Sequence, residues 1–219
     1  ADSVTIRIMD TEHDLLQDEV AMLKRYPYGC NEQTTSKLIG FLTANQNPEI
    51  TNHQRRENER RIDGFVKTLK ERQLPNGLWG WWGSDSPSVW ISRYIVETLQ
   101  KYQIDFPKGN VKYTCNDWLK DEHSTLSEKV TALTILRSLG EKLDYKTWVD
   151  SLDMAPNLTL HDRLELAELK TKCGLPADHA WLNQYRRETM KGGLYYQFGD
   201  DRSADQNEVM NTLQVYRIF

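Results

Sequence analysis

Amphipathic segments of two to five helical turns, divided by shorter breaks, follow one another along this chain, and that alternation leaves few folds open. Leu15, Leu16, Val20 and Leu23 share one face of a helix predicted from Thr11, a capping residue, to about Arg25. A second helix is predicted over about 32–44, carrying Leu38, Ile39 and Leu42. A third, over about 53–72, has Ile62, Phe65, Val66 and Leu69 at i, i+3, i+4 and i+7. Pro75-Asn76-Gly77 is a strong turn signal after it. Further helices are predicted over about 88–103, 111–121, 125–140, 145–152, 160–172, 178–190 and 206–218, with Pro107-Lys108-Gly109-Asn110 as another break. The connections are short, so neighbouring helices should pack antiparallel. The predicted class is all-α, with a short leading strand in which Val4, Ile6 and Ile8 alternate with Thr5 and Arg7.

A weak internal repeat narrows the architecture. Gly77-Leu78-Trp79-Gly80-Trp81-Trp82 precedes a polar loop and a helix with Ile91, Tyr94, Ile95 and Leu99. Gly193-Leu194-Tyr195-Tyr196 precedes a polar loop and a helix with Val209, Leu213 and Tyr216. A helical hairpin cannot bury its own apolar face, so repeated hairpins stack. A stack that closes is an α/α toroid; one that stays open is a solenoid. The unpartnered strand and the apolar pattern running to Phe219 are read as cuts through a longer protein. The expected division is a strand over 1–9, leading in from an adjacent β-domain, and a partial helical domain over 10–219.

Charge excludes some functions. The net charge is -4 and the pI near 5.8, against the basic field that phosphate backbones require. The basic stretch from His53 to Arg61 is interrupted by Glu57 and Glu59 and reads as a solvated helix face. No apolar run approaches the roughly 20 residues of a membrane span. The opening Ala-Asp-Ser lacks the apolar core of a signal peptide, which leaves the compartment open. Cys30, Cys115 and Cys173 are odd in number and unevenly spaced, fitting neither a disulfide framework nor a zinc site. Cys115 is at helical spacing with Val111, Trp118 and Leu119 and reads as a buried small hydrophobe. Asp200, Asp201 and Asp205 lack the spacing of an EF-hand loop and read as a solvated turn. No metal or cofactor is expected.

The segment that carries chemistry is Tyr26-Pro27-Tyr28-Gly29-Cys30-Asn31-Glu32-Gln33-Thr34-Thr35-Ser36. Pro27 fixes its own backbone, and Gly29 permits a tight turn just before the cysteine. Cys30 then falls at the start of the helix carrying Leu38, where the helix dipole favours a thiolate. Gln33, three residues on, can share its face. A thiolate beside a carboxamide can attack the amide carbon and expel ammonia, leaving an internal thioester. An amine or hydroxyl can then take the acyl group. Water competes, so the bond needs a dry site. Tyr26, Tyr28, Trp79, Trp81 and Trp82 are the candidate aromatic cover, although tryptophans at such a turn also serve as core. Glu32 is a candidate supporting residue or a plain first-turn charge. Thr34, Thr35 and Ser36 read as first-turn residues.

Gly29-Cys30-Asn31-Glu32-Gln33 resembles the Gly-Cys-X-Glu-Gln thioester motif of the α2-macroglobulin and complement family, and the flanks at 26–36 resemble its bacterial members. The resemblance implies the α/α toroid of the thioester domain, with Cys30 giving the thiol and Gln33 the acyl group. It implies a parent protein of the cell envelope (periplasmic or outer-membrane associated) or extracellular space. Such a parent traps proteases through their lysine amines and is an inhibitor, not an enzyme. The expected partners are proteases and the neighbouring domains of the parent chain, not nucleic acid. Relatives that transfer to hydroxyls use a histidine from midway along the domain. Of His13, His53, His123, His161 and His179, none matches that role by motif, and His123 is the nearest in position. Two rival readings remain. One is an enzyme using Cys30 as nucleophile; the other is an aromatic-lined toroid that binds glycan or isoprenoid.

Overall fold

Side-chain caps set most helix starts. A computed structural model describes residues 18, 20–23, 25–27, 29–84, 86–156, 158–198 and 208–219. The expected strand over 1–9, Thr11, Leu15, Leu16, Tyr28, and Asp200, Asp201 and Asp205 lie outside the described residues. The chain divides into two compact units, Ala1–Thr114 and Cys115–Phe219.

In the first unit, residues 18, 20–23 and 25 are helical, followed by α1 (Asn31–Gln46), α2 (Asn52–Glu71) and α3 (Val89–Lys101). Helix α4 (Gly109–Lys120) runs across the division between the units. Thr51 and Gln54 cap α2 reciprocally: the Gln54 N–H donates to Thr51 Oγ1 at 3.2 Å and the Thr51 N–H to Gln54 Oε1 at 2.8 Å. Helix α1 packs against α2 and α3. Val20, Phe41 and Ala44 form one cluster, with Ile62 and Phe65 of the predicted α2 stripe laid against it. The Phe41 and Phe65 rings meet at 5.6 Å. Leu38, Leu69, Trp79, Ile91, Ile95 and Leu99 are fully buried.

The second unit holds α5 (Leu126–Ser138), α6 (Tyr145–Asp153), α7 (Leu160–Cys173), a 3-10 turn (Ala180–Tyr185), strands β1 (Arg186–Glu188) and β2 (Leu194–Tyr196), and α8 (Glu208–Ile218). Capping boxes at Thr125–Glu128 and Thr159–Asp162 open α5 and α7. Gly174, at φ 66°, ends α7 in the left-handed conformation. Leu164, Ala167, Leu182, Tyr196, Val215 and Ile218 form one core cluster, and Val130, Leu133, Leu136 and Val149 are also fully buried.

The all-α class holds, but the helix predicted over 178–190 does not form. The chain leaves a short 3-10 helix at Tyr185 and pairs β1 with β2 in an antiparallel hairpin. Leu182 and Tyr185 imitate helical periodicity, but three-residue spacing also suits a 3-10 turn. Gly192, at φ 78°, then lets the chain reverse so that Tyr196 is buried.

That hairpin shows the internal repeat in hydrogen bonds. In the first unit the Leu74 N–H donates to Leu78 O and the Gly77 N–H to Leu74 O, both at 2.8 Å. In the second the Thr189 N–H donates to Gly193 O at 2.8 Å and the Gly192 N–H to Thr189 O at 2.9 Å. The turn is the same, with Gly77 (φ 85°) equivalent to Gly192 rather than Gly193. After each turn, a backbone N–H donates to a hydroxyl on the following helix: Trp79 to Ser92 Oγ at 2.9 Å, and Tyr196 to Thr212 Oγ1 at 3.0 Å.

Candidate functional site

Cys30 is the residue immediately before α1, extended at φ -64° and ψ 169°. Gln33 occupies the third helical position, where the side chain of a capping box reaches back. It does so here: the Cys30 N–H donates to Gln33 Oε1 at 3.2 Å. With a C=O length of about 1.2 Å, the Gln33 carboxamide carbon is therefore within about 4.4 Å of the Cys30 nitrogen. The predicted pair thus shares one turn, with the electrophilic carbon turned toward the cysteine. Cys30 is 5% exposed and is not part of a disulfide.

Gln33 also borders a cleft of about 300 Å³ lined by Leu23, Tyr26, Glu32, Gln33, Ser36 and Lys37. The Lys37 ammonium crosses this region to donate to the Tyr26 carbonyl at 2.8 Å, and it lies 5.8 Å from the Tyr26 ring. Ser36 Oγ and the Tyr94 hydroxyl are 3.1 Å apart. Thr35 donates its hydroxyl to Asn31 O at 2.7 Å and Thr34 donates to Gly29 O at 3.4 Å. Both hydroxyls are thereby tied to backbone carbonyls, as expected of first-turn residues.

A profile of the A-macroglobulin TED domain matches residues 2–125, a span that holds the whole of this site. The chain belongs to the A-macroglobulin family. It is also 35% identical over 132 residues to an alpha-2-macroglobulin of Ralstonia nicotianae (strain ATCC BAA-1114 / GMI1000). That alignment takes in 54% of the chain and 8% of the relative, so the chain spans a small fraction of the curated protein it matches.

In this TED domain the candidate tryptophans occupy two different settings. Trp79 is fully buried; its Nε1–H donates to Leu69 O at 2.7 Å and its ring meets Phe106 edge-on at 6.0 Å. Trp81 and Trp82 are 46% and 54% exposed. Trp81 stacks on Trp90 at 5.9 Å, and Trp90 on Tyr94 at 5.6 Å. Through Tyr94 this aromatic ladder ends at Ser36, in the cleft beside Gln33. Tyr26 is 47% exposed, Pro27 exposed, and Gly29 and Glu32 intermediate. His123 is exposed in the second unit, where its N–H donates to Asp121 Oδ1 at 3.0 Å. Cys115 is fully buried, which pushes its thiol up to about 12. Burial also raises the Cys173 thiol. Among the described residues, no helix is long and apolar enough to cross a membrane.

Two residues that tie the site together were not singled out by sequence. Asn31, the variable position of the motif, is fully buried. Its Nδ2 donates to Gly80 O at 3.0 Å and Trp82 O at 3.4 Å, and its backbone N–H to Trp81 O at 2.8 Å. Arg72, which follows α2, donates from one guanidinium nitrogen to Gly29 O at 2.6 Å and Asn31 Oδ1 at 3.3 Å. The cysteine-bearing turn is therefore bonded to the Gly-aromatic turn of the repeat. A side-chain amide suits that position because it donates to carbonyls and accepts from a guanidinium at once.

Proposed function

We propose that Cys30 and Gln33 form an internal thioester, and that this TED domain captures attacking proteases by transferring the Gln33 acyl group to their lysine amines. The observation that supports this reading is the 3.2 Å bond from the Cys30 N–H to Gln33 Oε1, which turns the carboxamide back toward the cysteine. In the forming step Cys30 Sγ bonds to the Gln33 carboxamide carbon. The C–N bond breaks, and the amide nitrogen leaves as ammonia with the thiol proton. In the capture step an amine nitrogen bonds to the same carbon, the C–S bond breaks, and the sulfur leaves as a thiolate that takes the amine's proton. Burial of Cys30 at 5% exposure favours survival of the bond against water. Tyr26 and the Trp81–Trp90–Tyr94 ladder are the proposed aromatic cover, over a site supported by Pro27, Gly29 and Glu32.

On this reading the domain reacts once and is consumed, so it acts as an inhibitor and not as a turnover enzyme. The parent is a larger protein of the cell envelope or extracellular space, with residues 1–9 leading in from a β-domain and 10–219 forming the helical thioester domain. Among the described residues the cleft is lined by one aromatic side chain, Tyr26, and it borders Gln33 itself, which favours acyl transfer over a remote aromatic cavity for glycan or isoprenoid. Methylamine tests the reading. It should free the Cys30 thiol and become fixed at Gln33, and Cys30→Ala should abolish all covalent adducts while the helical circular dichroism persists. Repeated hydrolysis of peptide or ester substrates, with no adduct at Gln33, would instead assign Cys30 to a turnover enzyme.

A further inference from the structure

Resting on the proposed thioester, we propose that the Cys30 backbone N–H is the oxyanion donor for both acyl steps at Gln33, and that Arg72 strengthens it through the Gly29 carbonyl. The Gly29 carbonyl and the Cys30 N–H belong to one planar peptide group. Both ends of that group are engaged. Arg72 donates a guanidinium N–H to Gly29 O at 2.6 Å, and the Cys30 N–H donates to Gln33 Oε1 at 3.2 Å. The groups therefore run in series: cation, carbonyl, peptide N–H, acyl oxygen. A guanidinium keeps its charge at any working pH, and its bond to a carbonyl is charge-assisted. Electron density drawn onto Gly29 O leaves the peptide nitrogen, which makes the Cys30 N–H a stronger donor. Arg72 is held in place for this role. A Cβ at Gly83 would stand 3.0 Å from Arg72 Cγ, so the arginine stem lies against the end of the aromatic turn. The nitrogen that reaches Gly29 O also donates to Asn31 Oδ1 at 3.3 Å.

Charge develops where this donor points. When Cys30 Sγ bonds to the Gln33 carboxamide carbon, the carbonyl electron pair moves onto Oε1. Collapse restores the C=O bond, breaks the C–N bond and releases ammonia, whose third hydrogen is the thiol proton. When a target amine nitrogen bonds to the acyl carbon, the electron pair moves onto the same oxygen. Collapse then breaks the C–S bond, and the sulfur takes the amine's proton. A hydrogen bond to a neutral acyl oxygen strengthens as that oxygen becomes an anion, and only such a gain lowers the barrier. Cys30 supplies the donor that touches the reacting group. Arg72 touches no reacting atom and is a positioning residue.

The test separates charge from tethering. Arg72→Gln keeps a side-chain N–H for Gly29 O but no charge, and Arg72→Lys keeps the charge. Both retain a long side chain beside Gly83, and wild-type circular dichroism checks that both fold. They are compared with wild type by intact mass and by Cys30 thiol release, in methylamine and in amine-free buffer. Losing an oxyanion donor costs about a hundred- to a thousandfold and series polarisation changes a bond by about 10–30%, so Arg72→Gln should release the thiol about fivefold more slowly. The slowing should appear with methylamine and water alike, because both attacks pass through the same oxyanion. Arg72→Lys should stay within about twofold of wild type. A purely tethering role gives the opposite sign, since a loosened turn admits water and Arg72→Gln would lose its thioester faster. Heavy-nitrogen labelling of the three cysteines reads the donor directly by nuclear magnetic resonance. The Cys30 amide proton should move upfield in Arg72→Gln but not in Arg72→Lys, with the Cys115 and Cys173 signals unmoved. The inference is overturned if Arg72→Gln releases thiol as fast as wild type or faster, if Arg72→Lys is equally slow, or if the Cys30 amide proton does not move. A wild-type protein at its full sequence mass would instead remove the thioester reading, and this inference with it.

Discussion

Replacing Asn31 by alanine should destabilise the first unit by about 2–3 kcal/mol, although Asn31 is neither of the reacting residues. The side chain is fully buried and makes two donor bonds, to Gly80 O and Trp82 O, and one acceptor bond, from Arg72. A net hydrogen bond contributes about 1 kcal/mol, and a buried group left without its partner costs about 1–3 kcal/mol. The 3.4 Å contact to Trp82 is long and adds little, and Arg72 keeps Gly29 O at 2.6 Å. The loss therefore falls mainly on Gly80 O and on the volume vacated. At a urea slope of about 2 kcal/mol/M, the midpoint should fall by about 1 M with the slope unchanged. Asn31→Asp keeps an acceptor for Arg72 but presents carboxylate oxygens to two carbonyls, so it should be no more stable than the alanine variant. Both variants should also shorten the lifetime of any thioester, because the Gly80–Trp82 turn loses its side-chain ties to the cysteine-bearing turn and keeps the backbone bond from the residue-31 N–H to Trp81 O. A midpoint for Asn31→Ala within about 0.2 M of wild type, or a wild-type midpoint for Asn31→Asp, would refute the donor assignment.

Other outcomes follow from particular contacts. Gly77→Ala should cost about 3 kcal/mol in chemical denaturation. Its added Cβ would stand 2.3 Å from Val111 N, at a backbone position with φ 85°. Gly140→Ala, at φ 76° but with nothing within 4 Å, should cost only the conformational strain of about 1–2 kcal/mol. Burial raises the Cys115 thiol from 9.0 to about 12, and burial is also the largest cause raising the Tyr145 phenol from 10.0 to about 12. Both groups are kept neutral by the fold, so the stability they contribute is fully present below pH 9 and lost as pH rises toward 12. Urea midpoints measured at pH 8, 10 and 11 should decline in that order, and iodoacetamide at pH 8 should leave Cys115 unlabelled in the folded protein.

Much of the fold was legible because its signals are local. The helices predicted from about 53, 125 and 160 begin at Asn52, Leu126 and Leu160, where Thr51, Thr125 and Thr159 cap them. The stripe Ile62, Phe65 and Leu69 faces inward as its spacing predicts. The nearness of Cys30 and Gln33 was legible because the two lie within one turn, joined there by the Cys30 N–H to Gln33 Oε1 bond. Tertiary effects hid the remainder. The 178–190 segment carries helical periodicity through Leu182 and Tyr185, but Gly192 and burial of Tyr196 draw it into a hairpin. The roles of Asn31 and Arg72 depend on partners 49 and 43 residues away, which no local pattern reveals. Adjacent aromatics at 79, 81 and 82 read alike in sequence, yet one is core and two are surface.

The intact mass of freshly purified protein bears most directly on the account. Sulfur joined to the Gln33 acyl carbon predicts a molecule lighter than its sequence by one ammonia, with Cys30 silent to thiol reagents until an amine is added. A molecule at its full sequence mass, with Cys30 titrating as an ordinary thiol and unaffected by methylamine, would contradict it.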